Sequence, residues 1–169
     1  MKRLIIPIFL FLLISCKGNQ NQDSKTAETA EAKKKVENPC EKQVEQGLEG
    51  NITYVEGDVM PGPDGPNARP VPVQREVLVF KPIPRLQVSS RAGVFFSIPE
   101  ESLIAKQLSS LEGCYRIPLP PGEYTVVINE PGKGYFANIF DGQDRIQTVV
   151  VKPEFKSKLD ILINYNAAY

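Results

Sequence analysis

The chain of 169 residues contains no histidine and no tryptophan, and only two methionines and three cysteines. Histidine is the commonest general base and zinc ligand in proteins, so its absence excludes histidine-based triads and the usual zinc sites. An excess of one charge is also missing, because 20 basic residues face 20 acidic ones. Nucleic-acid binding needs a basic excess, so we expect no nucleic-acid partner.

The N-terminus, by contrast, has a strongly biased composition. Lys2 and Arg3 precede an apolar run over 4–14, which is followed by the small residue Ser15 and by Cys16. This order is typical of a secretory signal peptide over 1–15. The 11 apolar residues reach about 17 Å as a helix, which is short of the ~30 Å hydrocarbon core of a bilayer. A membrane-spanning helix is therefore not expected here.

The end of this segment, Leu-Ile-Ser-Cys at 13–16, resembles the lipobox of bacterial lipoproteins. The resemblance implies that the thiol of Cys16 receives diacylglycerol before cleavage, so that the membrane is a partner of the chain. Several acyl chains together give stable anchoring. The first acid after Cys16 is Asp23, and this delay favours the periplasmic face of the outer membrane. An ordinary signal peptide with an incidental cysteine is the alternative.

Residues 16–37 form a predicted tether. After Cys16 they contain one large apolar residue, Val36, among amides, small residues and charges. Such a segment cannot bury enough apolar surface to fold and is predicted to be disordered. A flexible chain of this length spans about 25 Å on average, so it would hold a domain just clear of lipid headgroups.

Residues 38–169 are long enough for one domain with one core. Runs rich in Val, Ile, Tyr and Phe alternate there with Gly, Pro and Asp clusters, which is the pattern of short strands. The predicted strands are 50–56, 75–81, 94–98, 103–109, 114–118, 124–130, 135–140, 146–152 and 158–165. The start of 99–111 could instead form a short helix. We predict an all-β fold, an antiparallel Greek-key β-sandwich of about seven to nine strands.

A family resemblance accompanies this pattern. The segment GCYRIPLPPGEYTVVINEPGKGY at 113–135 resembles the central signature of carboxypeptidase regulatory-like domains, and 47–58 and 72–80 resemble their first two strands. The resemblance implies a transthyretin-like β-sandwich in which Tyr124 plugs one end. It also implies a structural or binding module without chemistry of its own, because the catalytic residues of enzymes with related folds are absent.

These observations leave two functions open. The first is a non-catalytic binding or scaffolding module in the cell envelope, with an unknown envelope protein or glycan as its partner and with no cofactor. The alternative is a carboxylate-dependent hydrolase, for which Asp141 and Asp144 are the obvious carboxylates. An Asp-Gly hairpin turn explains these two residues better. We therefore expect no enzymatic activity.

Cys40 and Cys114 remain once Cys16 is lipidated. An even number of cysteines in an oxidising compartment predicts a disulfide between them. Two buried free thiols are the alternative, because cysteine tolerates burial well.

Counting strand crossings predicts a binding surface. If each strand crosses the sandwich once, the loops 57–74, 99–102, 119–123 and 141–145 share one end. Loops on a rigid scaffold are where binding residues concentrate. The candidate binding residues at that end are Asp58, Met60, Asp64, Arg69, Asp141 and Asp144. Their carboxylates could also ligate calcium, although no EF-hand spacing is present. Solvated turns chosen for their backbone conformation are the alternative.

Overall fold

Residues 38–62 and 67–169 are described by a computed structural model of the chain. The predicted signal peptide, Cys16 and the tether lie outside the described residues, as does Asp64. The described part holds twelve strands, which are β1 Gly47–Asp58, β2 Val71–Pro72, β3 Glu76–Phe80, β4 Ser89–Arg91, β5 Phe95–Ser97, β6 Leu103–Leu108, β7 Cys114–Pro118, β8 Gly122–Glu130, β9 Gly134–Phe136, β10 Thr148–Val151, β11 Lys156–Lys158 and β12 Ile161–Ala168. Two single 3-10 turns, Arg85–Gln87 and Glu100–Ser102, precede β4 and β6.

The strands form two sheets that pack on each other, which confirms the predicted all-β sandwich. β1 lies at the centre of a five-stranded sheet with β11 and β12 along one edge and with β7 and β2 along the other. The seven-stranded sheet has the order β4-β5-β9-β8-β3-β6, and β10 also pairs with β8. No helix within the described residues is long and apolar enough to cross a bilayer.

One pairing departs from a purely antiparallel sandwich. β1 runs parallel to β11 and β12, whereas the other strand pairs are antiparallel. A parallel pair needs a long connection instead of a tight hairpin, and β1 and β12 are the first and last strands of the domain. The predicted strand 158–165 corresponds to β12 together with the end of β11, which line up along β1 in one register.

The alternation of side chains explains how the seven-stranded sheet is buried. Val77, Val79, Val126 and Ile128 face the five-stranded sheet and meet Leu48, Ile52, Tyr115, Ile117, Ile161 and Ile163 in the main core. The residues between them point to the opposite face. There Leu78, Phe80 and Val127 form a second apolar cluster with Ile83, Phe96, Ile98, Ala137 and Ile146. The segments 81–98 and 137–146 thus cover a face that would otherwise meet water.

Tyr124 closes one end of the main core. Its side chain is buried, and its hydroxyl donates a hydrogen bond to the carbonyl oxygen of Pro120 at 2.9 Å. This contact ties β8 to the proline turn that precedes it, in agreement with the plug that the sequence predicts. The hydroxyl also keeps a partner on burial, as a buried tyrosine requires.

A buried carboxylate joins the two sheets near the other end. Glu130, 2% exposed, ends β8 in the seven-stranded sheet. Its Oε1 accepts a hydrogen bond from Arg75 Nε at 2.6 Å, and its Oε2 accepts one from the hydroxyl of Tyr165 on β12 at 2.8 Å. Burial and this hydrogen bond both raise the pKa of Tyr165. The Glu130 clamp, defined as these three side chains, therefore links the sheets through charge-assisted hydrogen bonds.

Replacing Glu130 with Gln should lower the free energy of unfolding by about 1–3 kcal/mol, because an amide leaves the Arg75 charge without its ionic partner. Urea denaturation of wild-type and variant proteins measures this change. The matched control is Tyr165→Phe, which keeps the ring and removes one hydrogen bond, so we expect a loss of about 1 kcal/mol. A Glu130→Gln protein as stable as wild type would show that the clamp contributes nothing.

Candidate functional site

The structure separates the loops that the sequence groups at one end. The end of β7 at Pro118 pairs with Gly47, whereas the 57–74 loop begins at the other end of β1. Eleven residue steps along β1 correspond to about 36 Å. The loops 99–102, 119–123 and 141–145 do lie at one end, since Phe80 pairs with both Leu103 and Thr125 and Arg145 pairs with Glu123. Placing 57–74 with them is wrong.

The error has a topological cause. The count of crossings treats 82–93 as a single loop, but that segment contains the extra strand β4, which runs antiparallel to β5. β3 and β6 are antiparallel neighbours, with Phe80 opposite Leu103, so the chain over 81–102 starts and ends at the same end of the sheet. Asp58, Met60 and Arg69 therefore lie at the opposite end from Asp141 and Asp144.

Asp58 organises the base of its own loop. Its Oδ1 accepts a hydrogen bond from the Met60 amide at 2.9 Å, and its carbonyl oxygen accepts one from Ala68 N at 2.9 Å. Met60 is 53% exposed and Arg69 is also exposed. These contacts are the turn chemistry that the sequence offers as the alternative to a binding role.

Asp141 and Asp144 form part of a tight turn closed by the pairing of Phe140 with Ile146. Asp141 Oδ1 accepts hydrogen bonds from the amides of Gln143 at 2.9 Å and Arg145 at 3.0 Å. These bonds, led by that from the Arg145 amide, hold the pKa of Asp141 below its usual value.

Both carboxylates of this turn also have cationic partners. Asp141 pairs with Arg145 at 2.6 Å, and Asp144 pairs with Arg85 at 3.0 Å. Across 38–62 and 67–169, no three His, Cys, Asp or Glu side chains stand close enough to hold a metal ion. The described residues thus give the predicted aspartates no calcium-like arrangement.

Cys40 and Cys114 come together as the cysteine count predicts. Their sulfur atoms lie at bonding distance and their Cα atoms are 5.6 Å apart, across a sequence separation of 74 residues. Cys114 is the first residue of β7, and Cys40 lies in the segment ahead of β1. The bridge therefore attaches that segment to the five-stranded sheet.

A cleft that the sequence analysis misses lies between two neighbouring hairpins. The pairing of β5 with β9, with Phe95 opposite Phe136, brings the β4–β5 hairpin beside the β8–β9 hairpin. The cleft between them has a volume of about 410 Å³. Its lining residues are Ser89, Ser90, Arg91, Phe95, Phe96, Ser97, Asn129, Glu130, Gly132, Lys133 and Gly134. We call it the cationic cleft, because its exposed charged residues are Arg91 and Lys133.

The two cations are held by aromatic rings and backbone. Arg91 Nη2 donates a hydrogen bond to Lys133 O at 2.6 Å, and its Cζ lies 5.9 Å from the centre of the Phe95 ring. Lys133 Nζ lies 4.7 Å from the centre of the Tyr165 ring and 5.8 Å from that of Phe95. Such cation–π contacts fix the position of a charge without neutralising it.

Glu130, the carboxylate nearest in sequence to Lys133, already has other partners. Glu130 lines the cleft, but the Glu130 clamp occupies both of its oxygens with Arg75 and Tyr165. Neither Arg91 nor Lys133 forms an ion pair with a carboxylate of the described residues. The cleft therefore presents two uncompensated positive charges.

The local sequence explains the shape of both hairpins. The turn over 92–94 has positive φ at Ala92 (53°) and Gly93 (72°), and the turn over 131–133 has positive φ at Gly132 (72°). Gly134 follows at φ 109°, and a Cβ there would approach Phe96 O to 3.3 Å, which glycine avoids. The Pro-Gly-Lys-Gly run at 131–134 thus signals a tight turn with a cation near its tip. The register that brings Arg91 to it is not readable from either segment.

Comparison of the chain with protein-family models, with curated proteins and with solved structures finds no match.

Proposed function

We propose that this chain is a lipoprotein, acylated at Cys16 and anchored at the periplasmic face of the outer membrane, whose β-sandwich binds an envelope partner without catalysis. The signal peptide, the lipobox and the tether support the anchoring part. The resemblance to carboxypeptidase regulatory-like domains supports the binding part. We place the binding site in the cationic cleft.

The observation that carries this proposal is the uncompensated charge of the cleft. Cations that are held by aromatic rings and have no carboxylate partner can form charge-assisted hydrogen bonds with an anionic group of a ligand. The cleft volume of about 410 Å³ lies within the common range for ligand sites, roughly 300–1,000 Å³. Lys133 lies in a hairpin turn and Arg91 directly precedes one, and loops on a rigid scaffold are where binding residues tend to concentrate.

The carboxylates of the described residues support binding over hydrolysis. A carboxylate hydrolase needs one carboxyl with a raised pKa to act as the general acid. The pKa of Asp141 is lowered instead, and Asp144 is paired with Arg85. Glu130 is buried, but Arg75 and Tyr165 occupy its oxygens.

Removing both charges from the cleft tests the proposal. We expect the Arg91→Gln/Lys133→Gln protein to retain about tenfold less of the bound envelope component than the wild type, as loss of roughly 1.4 kcal/mol of binding free energy implies. The measurement is cross-linking in intact cells followed by affinity capture and mass spectrometry of what is retained.

The control variant is Lys42→Gln/Lys152→Gln, which removes the same charge from exposed positions outside the cleft. It should capture the same component as the wild type. Equal losses in both double variants would indicate general charge attraction. Unchanged capture by Arg91→Gln/Lys133→Gln would show that the cationic cleft is not the binding site.

A further inference from the structure

The chemistry of the cationic cleft also points to the class of its ligand. We propose that the cleft binds an anionic saccharide, a sugar unit that carries a carboxylate or a sulfate within an envelope glycan. This inference rests on the proposed binding function and adds the identity of the ligand class. Three observations support it, namely the positive charge of the cleft, its serine hydroxyls and the burial of its aromatic rings.

The positive charge of Arg91 and Lys133 requires a ligand with an anionic group. Four of the arginines in the described residues, Arg75, Arg85, Arg116 and Arg145, have a carboxylate within salt-bridge distance. Arg91 instead donates to the Lys133 carbonyl, which uses one of its N–H groups and orients the guanidinium. Its remaining donors suit the paired oxygens of a carboxylate or sulfate. Lys133 adds a second positive charge beside it.

The serine hydroxyl groups of the cleft favour a ligand that carries hydroxyl groups of its own. Ser89 and Ser97 lie opposite each other across the β4–β5 pair, on the face that carries Arg91 and Phe95, and both line the cleft and are exposed. Each hydroxyl can both donate and accept a hydrogen bond, which matches the hydroxyl groups of a sugar. An isolated phosphate or sulfate ion would fill only a small part of 410 Å³ and would leave these serines unused.

Burial of the aromatic rings excludes an apolar anchor. Phe95 is 8% exposed and Phe96 is 2% exposed, so the rings support the cations but offer little surface to a ligand. Protein partners usually insert apolar or aromatic side chains into the centre of an interface. A hydroxyl-rich anionic ligand fits these walls better than an acidic peptide does.

The backbone keeps this arrangement in place before a ligand arrives. Lys133 N donates to Glu130 O at 3.0 Å, which closes the β8–β9 turn, and Ser90 pairs with Phe96 across the β4–β5 hairpin. A ligand would therefore order few side chains when it binds, and preorganisation of this kind raises affinity.

The test measures binding of three oligosaccharides of equal length to the purified mature lipoprotein in detergent by calorimetry. The probes are an oligogalacturonate, a sulfated oligogalactose and a neutral oligogalactose. We expect at least one anionic probe to bind about tenfold more tightly than the neutral probe, and its affinity to fall as salt rises. Arg91→Gln/Lys133→Gln should remove that preference, whereas Lys42→Gln/Lys152→Gln should keep it. Arg91→Lys/Lys133→Arg keeps both charges and should bind the anionic probe.

Each outcome decides between the two proposals. Equal affinity for neutral and anionic probes, no binding of any probe, or equal losses in both Gln variants would overturn the anionic-saccharide inference. If the cleft variant still loses its envelope component in the capture experiment, the proposed binding function stands and only the ligand class falls. If neither capture nor saccharide binding depends on Arg91 and Lys133, both proposals fall.

Discussion

Replacing Cys16 with Ala should leave an unprocessed precursor that carries no acyl group. The reason is chemical, because the thiol is the group that receives diacylglycerol, and a methyl group cannot replace it as a nucleophile. The wild-type protein should instead yield an N-terminal peptide that begins at Cys16 and carries the mass of two or three acyl chains. Such multiple chains hold a protein stably in a bilayer, whereas one binds only reversibly. Mass spectrometry of the N-terminal peptide and membrane fractionation measure both effects.

The matched control for this experiment is Ser24→Ala, a substitution by the same residue in the predicted tether. It should be processed and acylated like the wild type. A wild-type protein that is cleaved normally but carries no lipid mass would contradict the anchoring proposal. In that case the segment 1–15 would act as an ordinary signal peptide, and Cys16 would have no role in anchoring.

Local patterns were sufficient to predict most of the sandwich. The alternation over 158–165 places Ile161 and Ile163 in the core, where the structure buries both. The predicted strand 114–118 coincides with β7, and 99–111 contains both of its predicted forms, a 3-10 turn followed by β6. Periodicity and turn residues report on neighbours within a few positions, which is the range over which these features arise.

Features that depend on distant pairing could not be read in this way. The continuous apolar runs 77–80 in β3 and 126–128 in β8 indicate burial on both faces, but nothing in them identifies 81–98 and 137–146 as the outer cover. The short strand β4 lacks an apolar run, since Ser89–Arg91 is polar and exposed, and β2 is only the two residues Val71–Pro72. They form because a neighbouring strand offers free backbone groups, and that neighbour is set by the whole topology.

The candidate site shows the same limit. The sequence suggested aspartates as candidate binding residues, yet in the structure Asp141 and Asp144 are paired with Arg145 and Arg85. The cleft residues come from two segments some forty positions apart, and Arg91 meets Lys133 only through the register of β5 with β9. The composition also gives no sign of the site. Acidic residues elsewhere balance the basic ones over the whole chain, so a local excess of positive charge does not appear in the net charge.

Removal of the Cys40–Cys114 bridge should cause the largest loss of stability among the changes considered. The bridge closes a loop with a sequence separation of 74 residues, which contributes about 4 kcal/mol in the chain-entropy account of disulfides. Domains of this size are stable by only about 5–15 kcal/mol, so the double variant Cys40→Ser/Cys114→Ser should unfold at much lower urea concentration. The effect acts mainly through the unfolded chain, so the sheets of the folded variant should stay intact.

Contacts around the bridge make it possible to distinguish the effect of the cross-link on the unfolded chain from a loss of packing in the folded protein. The segment it attaches also buries Val44, and Arg116 Nη1 donates to Lys42 O at 3.0 Å. Val44→Ala therefore serves as a packing control that keeps the cross-link, with an expected loss of about 1–2 kcal/mol. Wild-type protein treated with reductant should match the double serine variant, because both lack the cross-link. Two reactive thiols in denatured, unreduced wild-type protein would contradict the bridge, since the cysteines would then be free in the native protein.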